Sequence, residues 1–254
     1  MIEINKISKS FDSHKIIEDI SATFDKGKTN LIIGQSGSGK TVLMKCLLGL
    51  HEVDNGDILY DGKKFNKDEI FEVSDLRKQM GMVFQGSALF DSMSVLDNII
   101  FPLRMFSNMS QSKMIERARE VIHRVDLKDV DNKFPSEISG GMKKRVAIAR
   151  AVVLNPKYLF CDEPNSGLDP KTSTIIDNLI QEITKEYKIT TIINTHDMNS
   201  VMEIGENVLF MEKGKKGWEG SNKEVFNTEN QTVSNFIYSS NLFKKVRKVY
   251  QEEK

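Results

Sequence analysis

A glycine-rich segment at residues 34–41, GQSGSGKT, follows the apolar run TNLII and precedes TVLMKCLLGL, whose apolar residues recur at helical spacing. It fits the pattern G-x-x-x-x-G-K-[ST] in the strand-to-helix context that this pattern requires. The glycines would let backbone N–H groups close around phosphate oxygens, and the helix N-terminus adds partial positive charge. Lys40 would reach the β- and γ-phosphates, and the Thr41 hydroxyl would hold Mg²⁺. The segment therefore predicts a phosphate-binding loop, with a chance glycine turn as the alternative.

The expected contacts of this loop with a nucleotide extend from its first glycine into the first turn of the following helix. They are made by Gly34, Gln35, Ser36, Gly37, Ser38, Gly39, Lys40, Thr41 and Val42.

Two carboxylates end a second apolar segment, YLFCDE at residues 158–163. Asp162 is suited to hold Mg²⁺, directly or through water. Glu163 is suited to orient and deprotonate an attacking water, a role worth about 10²–10⁴ in rate. Without the phosphate-binding loop, two solvent-facing acids at a strand end would explain the segment equally well.

Three further side chains are candidates for the same site. Gln85 ends the strand-like segment GMVFQ and could also contact the metal, and His196 follows ITTIINT. Ligands of parallel sheets bind at the carboxyl ends of strands, so both side chains could converge on the γ-phosphate. Phe11 could stack on adenine, which is worth about 1–3 kcal/mol per base in nucleic-acid complexes. A structural histidine and a turn or core aromatic are the alternatives for His196 and Phe11.

A second glycine pair is harder to explain with one nucleotide. Ser139, Gly140 and Gly141 open the helical segment MKKRVAIARAVV and resemble another anion site. The Ser139 hydroxyl can donate to an oxyanion, and the glycines allow backbone N–H groups to approach one closely. The alternative is that Ser139 only caps the helix.

Strand signals alternate with helix signals along the chain, which predicts an α/β fold with a mostly parallel sheet. The strand-like segments begin at residues 1, 15, 29, 56, 81, 157, 189 and 206. Residues 94–153 are mostly helical in pattern, with Ser94 and Ser110 as helix caps, and indicate an inserted helical subdomain at about residues 87–155. Ile176, Leu179, Ile180 and Ile183 lie on one face of a helix that begins near Pro170.

Composition excludes several classes of protein. The 36 basic residues balance the 36 acidic ones, which argues against a nucleic-acid partner. No stretch reaches 18 apolar residues, and no signal peptide opens the chain, so we expect no membrane span of its own. Cys46 and Cys161 lie in apolar runs and are interpreted as reduced core residues of a cytosolic protein.

The order of GQSGSGKT, Gln85, ISGGM, YLFCDE, SGLD and His196 resembles the ATP-binding subunit of an ABC transporter, over about residues 1–226. Plain P-loop kinases and GTPases lack ISGGM and SGLD. The resemblance implies a P-loop ATPase core with an antiparallel β subdomain, ATP and Mg²⁺ as ligands, and a homodimer. Two copies would pair head to tail, so that Ser139, Gly140 and Gly141 cap the ATP bound to the partner's loop. Asp169 would lie in a loop that crosses this interface. Met142 stands where the family usually has glutamine.

The resemblance also implies an integral membrane permease as partner, at the cytoplasmic face of a bacterial inner membrane. The segments LFDSMSVLDNI, FPLR, PNSGLDP and NTHDM are similar to segments of the ATPases of Mla/MCE-type systems. These systems move phospholipids between inner and outer membranes. An MCE-type lipid-binding protein would then be a further partner. The alternative is an importer of a small polar solute. Leu89 and Phe90 would line a groove for a permease helix, or would pack the helical subdomain.

We expect an ATPase domain at residues 1–227 and a helical tail at residues 228–254. Six apolar residues of the tail lie close to one helical stripe, with Lys244, Lys245, Arg247 and Lys248 on the other faces. The stripe would pack on its own domain or on the partner subunit, or the basic residues would lie near anionic lipid. The stripe consists of Val233, Phe236, Ile237, Phe243, Val246 and Tyr250.

Overall fold

The computed structural model describes residues 1–65, 70–225 and 227–238. Their secondary structure forms two β-sheets and the helices that cover them. The larger sheet has six strands in the order β10-β9-β3-β8-β7-β6 and is parallel from β9 to β6, with β10 antiparallel at one edge. Its strands are β3 (Thr29–Ile33), β6 (Met80–Val83), β7 (Tyr158–Asp162), β8 (Thr190–Asn194), β9 (Asn207–Glu212) and β10 (Lys215–Gly220).

The smaller sheet has four antiparallel strands in the order β2-β1-β4-β5. Asp12 and Ser13 form the two-residue turn between its first strands, with φ of 46° and 68°, as a tight hairpin requires. Its strands are β1 (Ile2–Phe11), β2 (His14–Phe24), β4 (Asn55–Tyr60) and β5 (Lys63–Lys64).

Nine α-helices lie in the described residues, and a short 3₁₀ turn, Pro135–Glu137, precedes α5. Ser94 caps α3 by accepting a hydrogen bond from the Asp97 amide at 3.1 Å. Ser110 precedes α4 without such a bond. The helices are α1 (Lys40–Leu47), α2 (Ile70–Lys78), α3 (Val95–Phe106), α4 (Gln111–Arg124), α5 (Gly140–Val152), α6 (Pro170–Glu186), α7 (Met198–Ile204), α8 (Asn222–Val225) and α9 (Gln231–Ile237).

The core divides between the two faces of the larger sheet. Alternate residues of one strand point to opposite faces, so Leu31 and Ile33 pack on the side of α3 to α7, while Ile32 packs on the side of α1 and the smaller sheet. Strands buried on both faces need apolar residues at every position, which explains the continuous runs in β3, β7 and β8. Cys46 and Cys161 are buried, one on each side, and form no disulfide.

The predicted fold class is confirmed: a mostly parallel sheet, an antiparallel sheet and helices on both sides. The sequence pattern missed β5, β10 and α2. The segment KKGWEG of β10 is polar and interrupted by glycine, and it forms an edge strand by pairing with β9. The four apolar residues expected on one face of α6 are buried as predicted.

Helices α3, α4 and α5 pack on one another within residues 87–155, and the division of the chain into domains stays a prediction. In the tail, Val233 and Ile237 are buried in the main core, and the ring of Phe236 lies 5.3 Å from that of Phe210. The expected tail residues Phe243, Lys244, Lys245, Val246, Arg247, Lys248 and Tyr250 lie outside the described residues. None of the helices in the described ranges has the length and apolar character to cross a bilayer.

Candidate functional site

Four chain segments meet at the carboxyl edge of the larger sheet. The adjacent parallel strands β3, β8, β7 and β6 end, in that order, at the loop of residues 34–39, before His196, at Asp162 and Glu163, and before Gln85. The carboxyl ends of adjacent parallel strands lie at one edge, which is where ligands of such sheets bind. The fold therefore brings residues that are far apart in sequence to one place.

The loop of residues 34–39 depends on glycine at two tightly packed positions. A Cβ on Gly34, whose φ is 147°, would lie 2.2 Å from the Met211 carbonyl oxygen. A Cβ on Gly39, at φ 99°, would lie 2.9 Å from Cγ2 of Ile17. Gly37 faces open space. The loop is thus held closely from behind and open in front, as a phosphate cradle requires.

Lys40 begins α1 and is 8% exposed, and its Nζ donates to the carbonyl oxygens of Gly34 at 2.8 Å and Gln35 at 3.0 Å. Burial lowers the pKa of Lys40, while the Glu163 and Asp162 carboxylates act in the opposite direction. Both direct partners are neutral carbonyl groups, so the ammonium retains capacity for an anion. The first turn of α1 carries no acidic residue and no side-chain cap, so its amides are free to bind phosphate.

Glu163 is oriented by two side chains from neighbouring strand ends. The His196 imidazole donates from Nδ1 to Oε1 of Glu163 at 2.8 Å, and Nε2 of Gln85 donates to Oε2 at 3.0 Å. Glu163 has a φ of 45°, a conformation that a non-glycine residue adopts at an energetic cost. Its side chain is 23% exposed, against 65% for His196. Such a carboxylate could orient and deprotonate water at the edge of the sheet.

Asp162 lies opposite Asn194 in the pairing of β7 with β8 and accepts a hydrogen bond from Nδ2 of Asn194 at 3.1 Å. In the described part of the chain, Oδ1 of Asn194 is buried without a hydrogen-bond partner. Thr41 and Gln85 are exposed, and their hydroxyl and amide oxygens are the other donors that the sequence predicts for a metal beside Asp162. Mg²⁺ prefers oxygen ligands and keeps several waters, so this donor set fits it.

The second glycine pair opens α5, after the short turn Pro135–Glu137. Ser139 is exposed and caps α5, with its Oγ accepting from the Met142 amide at 3.3 Å. A Cβ on Gly140 would lie 3.7 Å from Leu168, and one on Gly141 would lie 2.9 Å from Thr172. The segment thus packs beside the loop after β7, where Asp169 caps α6 by accepting from the Thr172 amide at 3.1 Å. Hydrogen bonds from Thr172 hold the pKa of Asp169 below its usual value.

Phe11 lies at the end of β1 and is 39% exposed. Its ring centroid is 5.1 Å from that of His51 in an edge-to-face arrangement, and Nζ of Lys9 lies 5.4 Å from the Phe11 centroid. A partly exposed ring leaves room for stacking on a base. Its role in adenine binding stays a prediction, as do the roles of the other site residues.

Several residues that position the site were not recognised in the sequence. Asn194 ends an apolar strand, where a polar residue is itself a signal. The amine of Lys144 donates to the Gln85 carbonyl oxygen. Lys144 lies four residues before the buried Ile148 and therefore on the buried face of α5. This spacing is a signal in the sequence from which the burial of Lys144 could have been predicted.

Comparison with known proteins agrees with this geometry. The sequence model described as ABC transporter matches residues 17–166. The chain belongs to the ABC transporter family. It is 40% identical over 226 residues to the methionine import ATP-binding protein MetN of Clostridium tetani, covering 89% of this chain and 71% of that protein. It is 36% identical over 236 residues to the probable ribonucleotide transport ATP-binding protein mkl of Mycobacterium tuberculosis, covering 93% and 66%.

Solved structures of this family superpose on the chain at 28% sequence identity. The dimeric ABC transporter cassette MJ0796 has a TM-score of 0.79 and covers 87% of this chain and 99% of its own, and a post-hydrolysis dimer of it binds ADP and Pi. The protein cbiO1 of Clostridium perfringens, part of the complex cbiONQ, has a TM-score of 0.84 and covers 98% of each chain. The ABC cassette described here is therefore an ATPase.

The expected kinship with Mla/MCE-type lipid transport is not confirmed. The relatives given above are named for methionine import and for ribonucleotide transport, and neither name refers to lipid. The segment LFDSMSVLDNI, which contributed to that expectation, covers the turn before α3 and the start of that helix.

Proposed function

We propose that this chain powers the import of a small polar solute, as a head-to-tail pair of copies attached to a membrane permease. The observation that carries the proposal is the 40% identity, over 226 residues, to a methionine import ATPase. The proposal replaces phospholipid transport as the preferred function. It also includes the assignment of individual site residues, which rests on the geometry of the carboxyl edge.

Within one copy, the phosphate loop binds the nucleotide, and the strand ends supply the groups for hydrolysis. The loop amides and Lys40 bind the phosphates of ATP, and Phe11 stacks on the base. Glu163, held by Gln85 and His196, accepts a proton from the attacking water at Oε1 or Oε2. Mg²⁺, held by Thr41, Gln85 and Asp162, would neutralise charge on the β- and γ-phosphate oxygens.

The exposed second glycine pair supports a site shared between two copies. Ser139 and Gly140 are exposed, and the glycine pair lies beside Leu168 and Thr172. In a two-fold pair, the same surfaces meet in both directions, so each phosphate loop would receive one foreign Ser139-Gly140-Gly141 segment. The relative MJ0796 is itself described as a dimer.

An apolar patch beside Gln85 supports the permease contact. We define this patch as Phe90, Phe101, Met105 and Phe106. The rings of Phe90 and Phe101 lie 4.8 Å apart, and Phe90, Met105 and Phe106 are 40%, 60% and 50% exposed. Exposed apolar residues often mark protein contacts, and we propose that an amphipathic helix of the permease covers these side chains. We place the contact at the cytoplasmic face of the membrane.

We also propose that residues 1–227 form the ATPase domain with its helical subdomain at 87–155. The described part of the tail supports the first of the three expectations for it. Val233 and Ile237 bury their side chains in the main core of the same chain, so residues 231–237 pack on their own domain.

Transport assays in the native cell test the choice of substrate. Cells carrying the chromosomal Glu163→Gln substitution and cells with the wild-type gene would be compared for initial uptake of radiolabelled methionine and other amino acids. We expect uptake of one such solute to fall at least about ten-fold, because transport requires hydrolysis. The matched control, Glu116→Gln, makes the same change at an exposed glutamate of α4.

Phospholipid transport, with an MCE-type lipid-binding protein as partner, is the second candidate. Its basis is the sequence similarity at residues 89–104. The same strains decide between the two candidates. Unchanged solute uptake, together with an altered distribution of phospholipid between the two membranes, would contradict the importer proposal. Purification of the chain with its membrane partners then identifies which class of binding protein accompanies the permease.

A further inference from the structure

The segment between β6 and α3 holds an unusual backbone conformation. After Gln85 come Gly86, which has no crowding neighbour, and then Ser87 and Ala88, with φ of 64° and 48°. Two successive non-glycine residues in the left-handed region cost energy and persist only when the surroundings fix them. The neighbours that hold this segment therefore matter for the position of Gln85.

Helix α5 supplies two of these neighbours through cationic side chains. Lys144, which is 5% exposed, donates from Nζ to the Gln85 carbonyl oxygen. Arg150, two turns later on the same helix, donates to the carbonyl oxygens of Ser87 and Ala88, each at 2.8 Å. Asn98 of α3 holds the downstream end at Phe90.

Gln85 connects this support to the candidate base. Its backbone oxygen is held by Lys144, while its side-chain Nε2 donates to Oε2 of Glu163 at 3.0 Å and lies 3.4 Å from Oγ of Ser166. A change in the backbone of Gln85 would therefore move the amide group that orients Glu163. No neighbouring atom crowds Gly86, so packing at Gly86 does not fix the backbone of Gln85. The hydrogen bond from Lys144 does hold that backbone, at the Gln85 carbonyl oxygen.

A buried lysine is costly, which makes its placement informative. Burial lowers the pKa of Lys144, and the Cys161 thiol and the Glu163 carboxylate act in the opposite direction. An apolar residue of similar length would fill the same space without the cost of desolvating a charge. A lysine at this position is favoured over an apolar residue only where its amine has a specific hydrogen-bond acceptor. The Gln85 carbonyl oxygen is that acceptor.

We propose that Lys144 is a positioning residue for hydrolysis: it fixes the backbone of Gln85 so that the Gln85 amide holds Glu163 in place. Since Lys144 lies on the helix that Ser139 caps, this bond also connects the segment that would bind the partner's ATP to the base of its own chain. The inference rests on the proposed roles of Glu163 and Gln85. Lys144 contacts neither ATP nor water in this arrangement and acts only through Gln85.

The test compares Lys144→Met, which keeps the length of the side chain, with Lys144→Arg, which keeps a cationic donor. Lys113→Met is the control, at an exposed lysine of neighbouring α4. For each full-length variant, ATP affinity, kcat and KM are measured, with thermal unfolding to check the fold. We expect kcat of Lys144→Met to fall between about 10- and 100-fold, because a misplacement of about 1 Å has this effect. ATP affinity should change less than about three-fold, because Lys40 and Thr41 are intact, and Lys144→Arg should recover part of kcat.

Three outcomes would overturn the inference. A wild-type kcat in Lys144→Met would show that the Gln85 bond has no role in hydrolysis. A loss of ATP affinity as large as the loss of kcat would show a general role in folding. So would a loss of kcat in both Lys144→Met and Lys144→Arg that is accompanied by a lowered melting temperature. Glu163→Gln is measured in parallel. If Glu163→Gln retains the wild-type rate, the proposed base itself is wrong. If Glu163→Gln is inactive while Lys144→Met is fully active, only the role of Lys144 is refuted.

Discussion

His196 and Glu163 are joined by a hydrogen bond of 2.8 Å between Nδ1 and Oε1, across the ends of β8 and β7. The carboxylate is mostly enclosed, whereas the imidazole remains exposed on the side where a nucleotide would bind. The histidine can therefore contact the γ-phosphate region with its other nitrogen while it holds the glutamate. We therefore propose Glu163 as the base that activates water.

Glu163→Gln should stop hydrolysis and preserve nucleotide binding. The amide keeps the shape, and its oxygen can still accept from one of the two donors, His196 or Gln85, but it cannot accept a proton from water. We expect kcat to fall at least about 10²-fold, with ATP affinity close to wild type because Lys40 and Thr41 are unchanged. An ATP-stabilised dimer should accumulate, which size-exclusion chromatography with ATP and Mg²⁺ can detect. Turnover at the wild-type rate would rule Glu163 out as the base.

Gly140→Asp tests whether the second glycine pair acts on the partner's nucleotide. A carboxylate there would repel the γ-phosphate and disfavour closure of the pair. Gly140 is the better position, because a Cβ would lie 3.7 Å from Leu168, an ordinary contact, whereas a Cβ on Gly141 would lie 2.9 Å from Thr172. We expect hydrolysis to be lost and ATP binding by the single copy to survive.

A mixture of two inactive variants makes this test sharper. Lys40→Ala lacks a working phosphate loop but keeps its glycine pair, and Gly140→Asp has the reverse defect. If sites are shared head to tail, mixed pairs contain one intact site, and equal mixing should restore roughly a quarter of the wild-type sites. A mixture that stays inactive would mean that Gly140 serves the nucleotide of its own chain or that the variant is misfolded.

Phe90→Glu should weaken assembly with the membrane partner. Phe90 is 40% exposed, and its ring packs against Phe101 and beneath Arg150, whose guanidinium carbon lies 5.8 Å from the ring centroid. The substitution places a charge in the apolar patch, where binding would have to desolvate it. Basal ATPase activity of the isolated chain should stay within about two-fold of wild type, while recovery of the permease in a pull-down from detergent-solubilised membranes should fall. Undiminished recovery would remove this patch from the interface.

Asp177 makes stability depend on pH in a direction opposite to that of most carboxylates. It is 3% exposed and accepts hydrogen bonds from Ser200 at 2.7 Å and from Asn165 at 3.2 Å. Burial raises the pKa of Asp177 to about 6, and the nearby Asp197 and Glu203 carboxylates add to the increase. The folded protein thus retains this proton at pH values where the unfolded chain, with a pKa near 4, has lost it.

The stabilising effect of this proton is complete below about pH 4 and is lost as the pH rises through about 6. Relative to Asp177→Asn, the free energy of unfolding of the wild type should fall by roughly 2 kcal/mol between pH 4 and pH 7. Denaturant unfolding of both proteins across this range measures the difference, and Asp91→Asn, at an exposed aspartate, serves as the control. A difference that stays constant with pH, or that grows as the pH rises, would contradict the buried, protonated state of Asp177.

Much of the fold and the site could be predicted because the signals are local. The strand-to-helix context of residues 34–41 is readable from adjacent residues, and the packing behind Gly34 and Gly39 explains why glycine is needed there. The apolar runs of β3, β7 and β8 follow from burial on both faces of a parallel sheet. Ser94 and Ser139 could be recognised as caps because a cap pairs with an amide three residues away.

The amino-acid sequence by itself determined the phosphate loop, the strand-end carboxylates and the family, since each depends on residue types at short spacing. Only the tertiary structure decided which of these groups touch. Gln85 and Glu163 are 78 residues apart, and His196 and Glu163 are 33 apart, yet the order of β6, β7 and β8 places them within hydrogen-bond distance. Local periodicity carries no information on strand order or register. For the same reason, only the packing of α5 in the folded chain showed that Lys144 reaches Gln85 and that the second glycine pair lies beside Leu168 and Thr172.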